Sequence, residues 1–175
     1  MVTRRHPTAV QRLGLNVRRL FPVLISAALA LAVVLPLGLP HWGMLAPPFL
    51  LASIYYWSIV RPDLMPPTAA FLLGLLQDLL TGMPLGTGAL IMVITQWTMR
   101  GQQRFLMNRP FFLIWAAFAP VVLIAGLVDW IVYAIYTLHI APVDGALARM
   151  MLGFILFPVV AWLLLIPAHR TLPAN

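Results

Sequence analysis

The segment Gly74-Leu-Leu-Gln-Asp-Leu-Leu-Thr-Gly-Met-Pro-Leu-Gly86 places a carboxylate and an amide inside apolar sequence, just before a turn rich in glycine and proline. A charged side chain near the centre of a bilayer costs at least about 2.5–3.5 kcal/mol on insertion scales, so Asp78 should face protein or water. At helical spacing, Ala70, Gly74 and Asp78 share one face, and small residues there let a second helix approach closely. The segment therefore predicts a helix, a tight turn and a returning helix, with a packed face between them.

Two roles for Asp78 are consistent with this placement. In an architectural role, its carboxylate accepts hydrogen bonds from backbone amides freed around residues 82–88, which lipid cannot satisfy. In a functional role, it binds a proton or a substrate. The architectural role is preferred, because no second intramembrane carboxylate lies nearby in the sequence.

The composition of the whole chain indicates a membrane protein. Of its 175 residues, 62% are hydrophobic and 9% are charged, whereas about a quarter of the residues of a soluble domain are charged. The net charge is +7, but the arginines lie between apolar segments and do not form one patch among base-stacking aromatic residues. We therefore predict an all-α integral protein of the bacterial inner membrane, with no nucleic acid partner.

Six apolar segments come near the length of about 20 residues that a spanning helix needs. They are residues 20–39, 43–60, 66–80, 85–99, 111–138 and 146–167. The first is longer than the apolar core of a cleavable signal, about 7–15 residues, and so predicts a retained span. The predicted organisation is a basic cytoplasmic tail at 1–19, one six-helix transmembrane domain at 20–167 and a short cytoplasmic tail at 168–175.

The arginines predict the topology, because loops kept in the cytoplasm are enriched in basic residues. Five arginines precede the first segment, one follows the second, three follow the fourth and one lies in the C-terminal tail. Both termini are therefore predicted to be cytoplasmic. The same charges are compatible with two crossings by residues 66–99 or with a re-entrant hairpin, and two short spans are preferred.

Three further polar residues fall inside the predicted spans. Asp129 and Tyr133 are one helical turn apart on the fifth segment, where the hydroxyl could donate a hydrogen bond to the carboxylate. Arg149, near the start of the sixth segment, could pair with Asp129 or Asp144, although Asp144 also stands at the expected N-cap of that helix. No catalytic motif accompanies these residues, so neither an enzyme nor a bound metal or cofactor is predicted.

The central segment resembles the signature of the family of rod shape-determining protein MreD. The resemblance covers roughly residues 45–165 and includes Tyr55-Tyr56-Trp57 and the arginines after the fourth segment. It implies a non-enzymatic scaffold subunit of the bacterial elongation machinery, needed for rod shape and lateral peptidoglycan synthesis. The implied partners are MreC, bound directly through transmembrane helices, and MreB, the glycosyltransferase RodA and its transpeptidase partner, together with membrane lipids.

The resemblance also implies which residues form the structural and partner-binding motif. These are Ala70, Gly74, Gln77, Asp78, Gly82, Pro84, Leu85 and Gly86. We hypothesise that their small-residue face is a groove for the transmembrane helix of MreC. The family is similar in fold to the six-helix substrate-binding subunits of energy-coupling vitamin transporters, which leaves a small-molecule-binding transporter subunit as the alternative and a membrane enzyme as a third possibility.

Overall fold

The computed structural model describes the backbone of residues 9–34, 48–139 and 143–171, and the side chains of residues 20–32, 48–139 and 143–164. All regular structure in these ranges is helical, which confirms the predicted all-α fold. In chain order the helices are α1 (Ala9–Val34), α2 (Phe49–Val60), α3 (Pro67–Thr81), α4 (Thr87–Leu106), α5 (Phe111–Thr137) and α6 (Val143–Thr171), with a short 3₁₀ helix (Pro62–Leu64) after α2.

Each predicted apolar segment corresponds to one helix, but the helix ends differ from the predicted ends. α1 begins at Ala9, well before residue 20, and α4 continues to Leu106, beyond residue 99. Arginine, glutamine and alanine are good helix formers, so a helix continues past the end of its apolar stretch. α2 begins later than predicted, with Pro48 at its N-cap. The predicted span residues 35–39 and 43–47 lie outside the described part of the chain.

Within the described residues, two helices are long and apolar enough to cross a membrane. They are α5 over its 27 residues and α6 over Val143–Leu164. Shorter apolar stretches occupy Leu20–Ala32 of α1, all of α2 and all of α3. Only 17% of the apolar window of α5 is buried inside the protein, so most of its large apolar side chains point outwards, as a lipid-facing surface requires.

α2 is the centre of the bundle. All of residues 50–59 are buried, which fits a helix that is apolar on every side, and α1, α4 and α6 pack around it. The hydroxyl of Ser53 lies 2.7 Å from the hydroxyl of Ser26 on α1. The hydroxyl of Tyr55 donates a hydrogen bond to the carbonyl of Ile114 at 2.7 Å. Lipid offers no hydrogen-bond partners to these hydroxyl groups, so they bond to neighbouring helices. The resulting hydrogen bonds join the helices within the core.

Aromatic rings connect α5 and α6 to this centre. The rings of Phe118 and Phe157 stack with their centroids 4.5 Å apart, and the ring of Tyr55 packs against both. Further along α5, a Cβ added to Gly126 would meet the side chain of Met150. Later residues of α5 thus face earlier residues of α6, and the two helices are antiparallel.

Candidate functional site

Asp78 lies where α3 meets the start of α4. Its Oδ2 accepts hydrogen bonds from the backbone N–H groups of Gly86 at 2.8 Å and Ala89 at 3.4 Å, and its Oδ1 accepts one from Gly88 at 2.8 Å. The first N–H groups of a helix have no partner within the helix, and an anion at this end interacts favourably with the helix dipole. Asp78, which is only 3% exposed, therefore caps α4 from α3. These are the hydrogen bonds that its architectural role requires.

Two glycines with positive φ shape the turn between the helices. Gly82 ends α3 at φ +69° and Gly86 precedes α4 at φ +105°, a region of backbone conformation that residues with a side chain rarely adopt. Between them, the carbonyl of Pro84 accepts a hydrogen bond from the N–H of Thr87 at 3.2 Å. The chain thus reverses within a few residues and brings the amides of Gly86, Gly88 and Ala89 to the carboxylate.

The small-residue face of α3 is covered by α4 of the same chain. Ala70 and Gly74 are buried, and a Cβ added to Gly74 would lie 2.5 Å from the Cα of Ala89. A Cβ added to Gly88 would overlap Oδ1 of Asp78. The hypothesis of an open groove on this face is therefore corrected. Small residues do let a second helix approach closely here, but that helix is α4.

The other motif residues lie away from this contact. The side chain of Gln77 is half-buried and lines a cavity of about 10 Å³ with Leu80, Thr81 and Arg149, among other residues; this is room for about one water molecule. The hydroxyl of Thr81 donates to the carbonyl of Gln77 at 2.8 Å. Leu85, at the tip of the turn, is 68% exposed. The structure thus gathers the glycines and the carboxylate, but not the whole motif, at one point.

The polar residues of α5 and α6 lie near the same end of α3. Asp129 and Arg149 are both half-buried, and Arg149 lines the small cavity at the end of α3 together with Gln77 and Thr81. Tyr133 follows one turn along α5 and is 41% exposed. α6 already begins at Val143, so Asp144 lies in its first turn and not at the predicted N-cap. A negative charge in the first turn still suits the positive end of the helix dipole.

Gln96 is a buried polar residue that the sequence interpretation left out. Its side chain is fully buried on α4, and its Nε2 donates to the carbonyl of Met65 at 3.0 Å. This hydrogen bond ties α4 to the residues just before α3, at the opposite end of the hairpin from Asp78. The sequence does contain a signal for this residue. An amide side chain inside an apolar segment needs a hydrogen-bond partner within the protein, as the Asp78 carboxylate does, because lipid offers none.

The contacts of Asp78 indicate what this site can do chemically. Both carboxylate oxygens accept hydrogen bonds from backbone amides of the chain itself, so the carboxylate satisfies and positions a helix end. Within the described residues, no group of three or more histidine, aspartate or glutamate side chains is arranged to hold a metal ion. The site is a carboxylate-capped helical hairpin.

The comparison with known families covers almost all of this structure. The family model of rod shape-determining protein MreD matches residues 14–166, which include α2 to α5 and most of α1 and α6. No curated protein and no solved structure is significantly similar to the chain. Because the family match spans nearly the whole sequence, the chain belongs to the MreD family of rod shape-determining membrane proteins.

Proposed function

We propose that the chain is a non-enzymatic scaffold subunit of the bacterial elongation machinery, which binds MreC through its transmembrane helices and is needed for lateral peptidoglycan synthesis. The Asp78 cap is the observation that carries this proposal. A carboxylate inside an apolar helix has both oxygens occupied by amides of its own chain. That use supports an architectural role over the binding of a proton or substrate. Membership of a shape-determining family supports a place in the elongation machinery.

The proposed topology is six crossings of the inner membrane with both termini in the cytoplasm. α5 and α6 support two crossings by their length and composition. α3 has 15 residues, about 22 Å at roughly 1.5 Å per residue, which is less than a hydrocarbon core of about 30 Å. A short span can be accommodated by local thinning of the bilayer. The arginines between the helices support termini on the cytoplasmic side.

The proposed contact with MreC is the outward side of the α3–α4 hairpin, because the inward side is filled within the chain. Leu72 and Leu79 of α3 and Leu90 of α4 are exposed and apolar, and they offer a surface to a single transmembrane helix. Gly74 and Asp78 act indirectly, since they set the spacing of α3 and α4 and so the shape of that surface. We propose that the contact with MreC brings the chain into one assembly with MreB, RodA and its transpeptidase partner.

The proposal is tested by affinity purification of the tagged chain from gently solubilised membranes, in rod-shaped cells that lack their own copy. We expect Asp78→Ala and Gly74→Leu, compared at equal abundance in the membrane, to lose most of the co-purifying MreC and to leave the cells rounded. Gly101→Leu is the matched control. It lies on α4, but nothing is within 4 Å of a Cβ added there, so MreC recovery should be unchanged.

Normal MreC recovery with both hairpin variants would overturn the proposed role of the hairpin. Mass spectrometry of the same preparation tests the alternatives raised by the sequence. A stoichiometric vitamin or an energy-coupling ATPase pair would favour a transporter subunit, and turnover of a lipid-linked sugar would favour a membrane enzyme.

A further inference from the structure

The outward side of α4 changes in character towards the C-terminal end of the helix. Ile94 and Trp97 are exposed about one turn apart, and Trp97 is 74% exposed. Arg100 and Arg104 follow on the same side of the helix and are exposed as well. This side thus passes from an aliphatic residue through an indole to two guanidinium groups. A lipid-facing helix has this order where it leaves the hydrocarbon, crosses the interface and reaches the headgroups.

The connection between α4 and α5 adds a third arginine to this end of the helix. The guanidinium of Arg109 lies over the ring of Phe105, 4.8 Å from the ring centroid, in a cation–π contact that holds the two side chains together. Phe105 and Met107 are both exposed. Exposed apolar side chains among cations suit the boundary between acyl chains and headgroups, where each kind of group meets a favourable partner.

These three arginines have no acidic partner in the described part of the chain. The sequence contains no aspartate or glutamate in residues 79–128. Among the described side chains, no salt bridge joins Arg100, Arg104 or Arg109 to a carboxylate, including that of the exposed Asp63. Their positive charge therefore creates a field at this end of α4 that attracts anions from outside the chain.

We propose that this surface binds the phosphate groups of anionic phospholipids. It consists of Trp97, Arg100, Arg104, Phe105 and Arg109. A guanidinium group can donate two parallel hydrogen bonds to phosphate oxygens. Lipid fits the surface better than an acidic protein does, because the adjoining part of α4 is apolar and exposed and needs hydrocarbon beside it. Lipid binding here does not depend on the proposed contact with MreC.

Native mass spectrometry tests this inference on the purified full-length chain, titrated in a non-ionic detergent with phosphatidylglycerol or with phosphatidylcholine of the same acyl chains. We expect the natural chain to bind the anionic lipid at least about tenfold more tightly, because each arginine near an anionic headgroup contributes roughly fivefold. The triple variant Arg100→Gln, Arg104→Gln and Arg109→Gln should lose most of that preference. Its binding of phosphatidylcholine should be unchanged.

The charge-matched control is Arg4→Gln, Arg5→Gln and Arg12→Gln, which removes the same charge near the N-terminus and should keep most of the preference. An equal loss in this control would overturn the site, since net charge alone would then explain the preference. An unchanged preference in the first triple variant would also overturn it, and loss of a co-purifying acidic protein from that variant would assign the surface to a protein partner.

Replacement of the same three arginines by lysine separates loss of charge from damage to the fold. The side chains are exposed, so Tm should be the same with glutamine or lysine at these positions. Lysine keeps the positive charge but lacks the paired donors of arginine, so most of the preference for phosphatidylglycerol should remain. A preference that is kept with lysine and lost with glutamine supports the site, whereas equal losses with both would refute it.

Discussion

Asp78 shows how one ionisable residue can be placed in an apolar helix without being a ligand. Its carboxylate accepts hydrogen bonds from three backbone N–H groups in the turn and the first residues of α4. At the surface of a soluble protein, a capping side chain contributes about 1 kcal/mol, because water replaces it when it is lost. Within a membrane no such replacement exists, so the same hydrogen bonds should contribute more.

Removal of the Asp78 carboxylate should therefore be costly. We expect Asp78→Ala to lower the free energy of unfolding by about 2–4 kcal/mol, since its loss leaves buried N–H groups without acceptors. A single hydrogen bond to a charged group contributes roughly 1.5–3 kcal/mol, and the bonds that share this one carboxylate do not add in full. Asp78→Asn keeps one acceptor oxygen and should lose about half as much. Denaturant titration of the purified protein in micelles measures both.

Asp63→Ala is the control for this measurement, because Asp63 is exposed in the 3₁₀ helix after α2. Its effect should stay within about 0.5 kcal/mol, as for most surface substitutions. Equal losses at positions 63 and 78 would show that the three hydrogen bonds do not stabilise the fold.

The hydrogen-bond partners of Asp78 could be predicted from the sequence. That α4 of the same chain packs on the small-residue face of α3 could not. The cost of a charge in lipid requires a partner, and the glycines nearby indicate free amides. A run of small residues such as Ala70 and Gly74 predicts a close helix contact, but it does not say whether the second helix belongs to the same chain. Gln96 follows this rule only in part, because its Nε2 donates to the carbonyl of Met65 whereas its buried Oε1 has no hydrogen-bond partner in the described part of the chain.

At the scale of helices, the α3–α4 hairpin is defined by contact between backbones. Gly74 of α3 faces the backbone of Gly88 and Ala89, and the side chain of Gln96 holds the other end through the carbonyl of Met65. The two ends of the hairpin are thus joined by different kinds of contact, one a capped helix terminus and the other a side-chain amide. Apolar periodicity predicts that two helices exist, but it carries no information on how closely they approach.

Alanine substitutions at two helical glycines should have opposite effects on stability. Gly74→Ala puts a methyl group 2.5 Å from the Cα of Ala89, and such overpacking should lower the free energy of unfolding by about 1–3 kcal/mol. Gly101→Ala meets nothing within 4 Å and should raise it by about 0.5–1 kcal/mol, because alanine is the better helix former. The same denaturant titration detects both signs, and a neutral Gly74→Ala would mean that α3 and α4 are not in backbone contact.

At the scale of the whole molecule, the most buried helix and the most exposed helix are both strongly apolar. α2 is buried along residues 50–59, whereas most of the apolar window of α5 faces outwards. Sequence hydrophobicity cannot distinguish these two positions, since lipid and protein interior are similarly apolar. The central position of α2 and the peripheral position of α5 follow instead from specific contacts, such as those of Tyr55 with Ile114 and Phe118. The number of crossings is a separate question, which accessibility to reagents can decide.

Single cysteines offer a direct test of the proposed six crossings, because the natural chain contains none. Leu85, Asn108 and His139 are exposed at three successive helix connections. With cytoplasmic termini and six crossings, a membrane-impermeant maleimide applied to intact spheroplasts should modify Leu85→Cys and His139→Cys, and should reach Asn108→Cys only after permeabilisation. If residues 66–99 form a re-entrant hairpin, Leu85→Cys would stay protected while His139→Cys reacts. That outcome would also restrict the part of the α3–α4 surface that is available to MreC to the cytoplasmic half of the membrane.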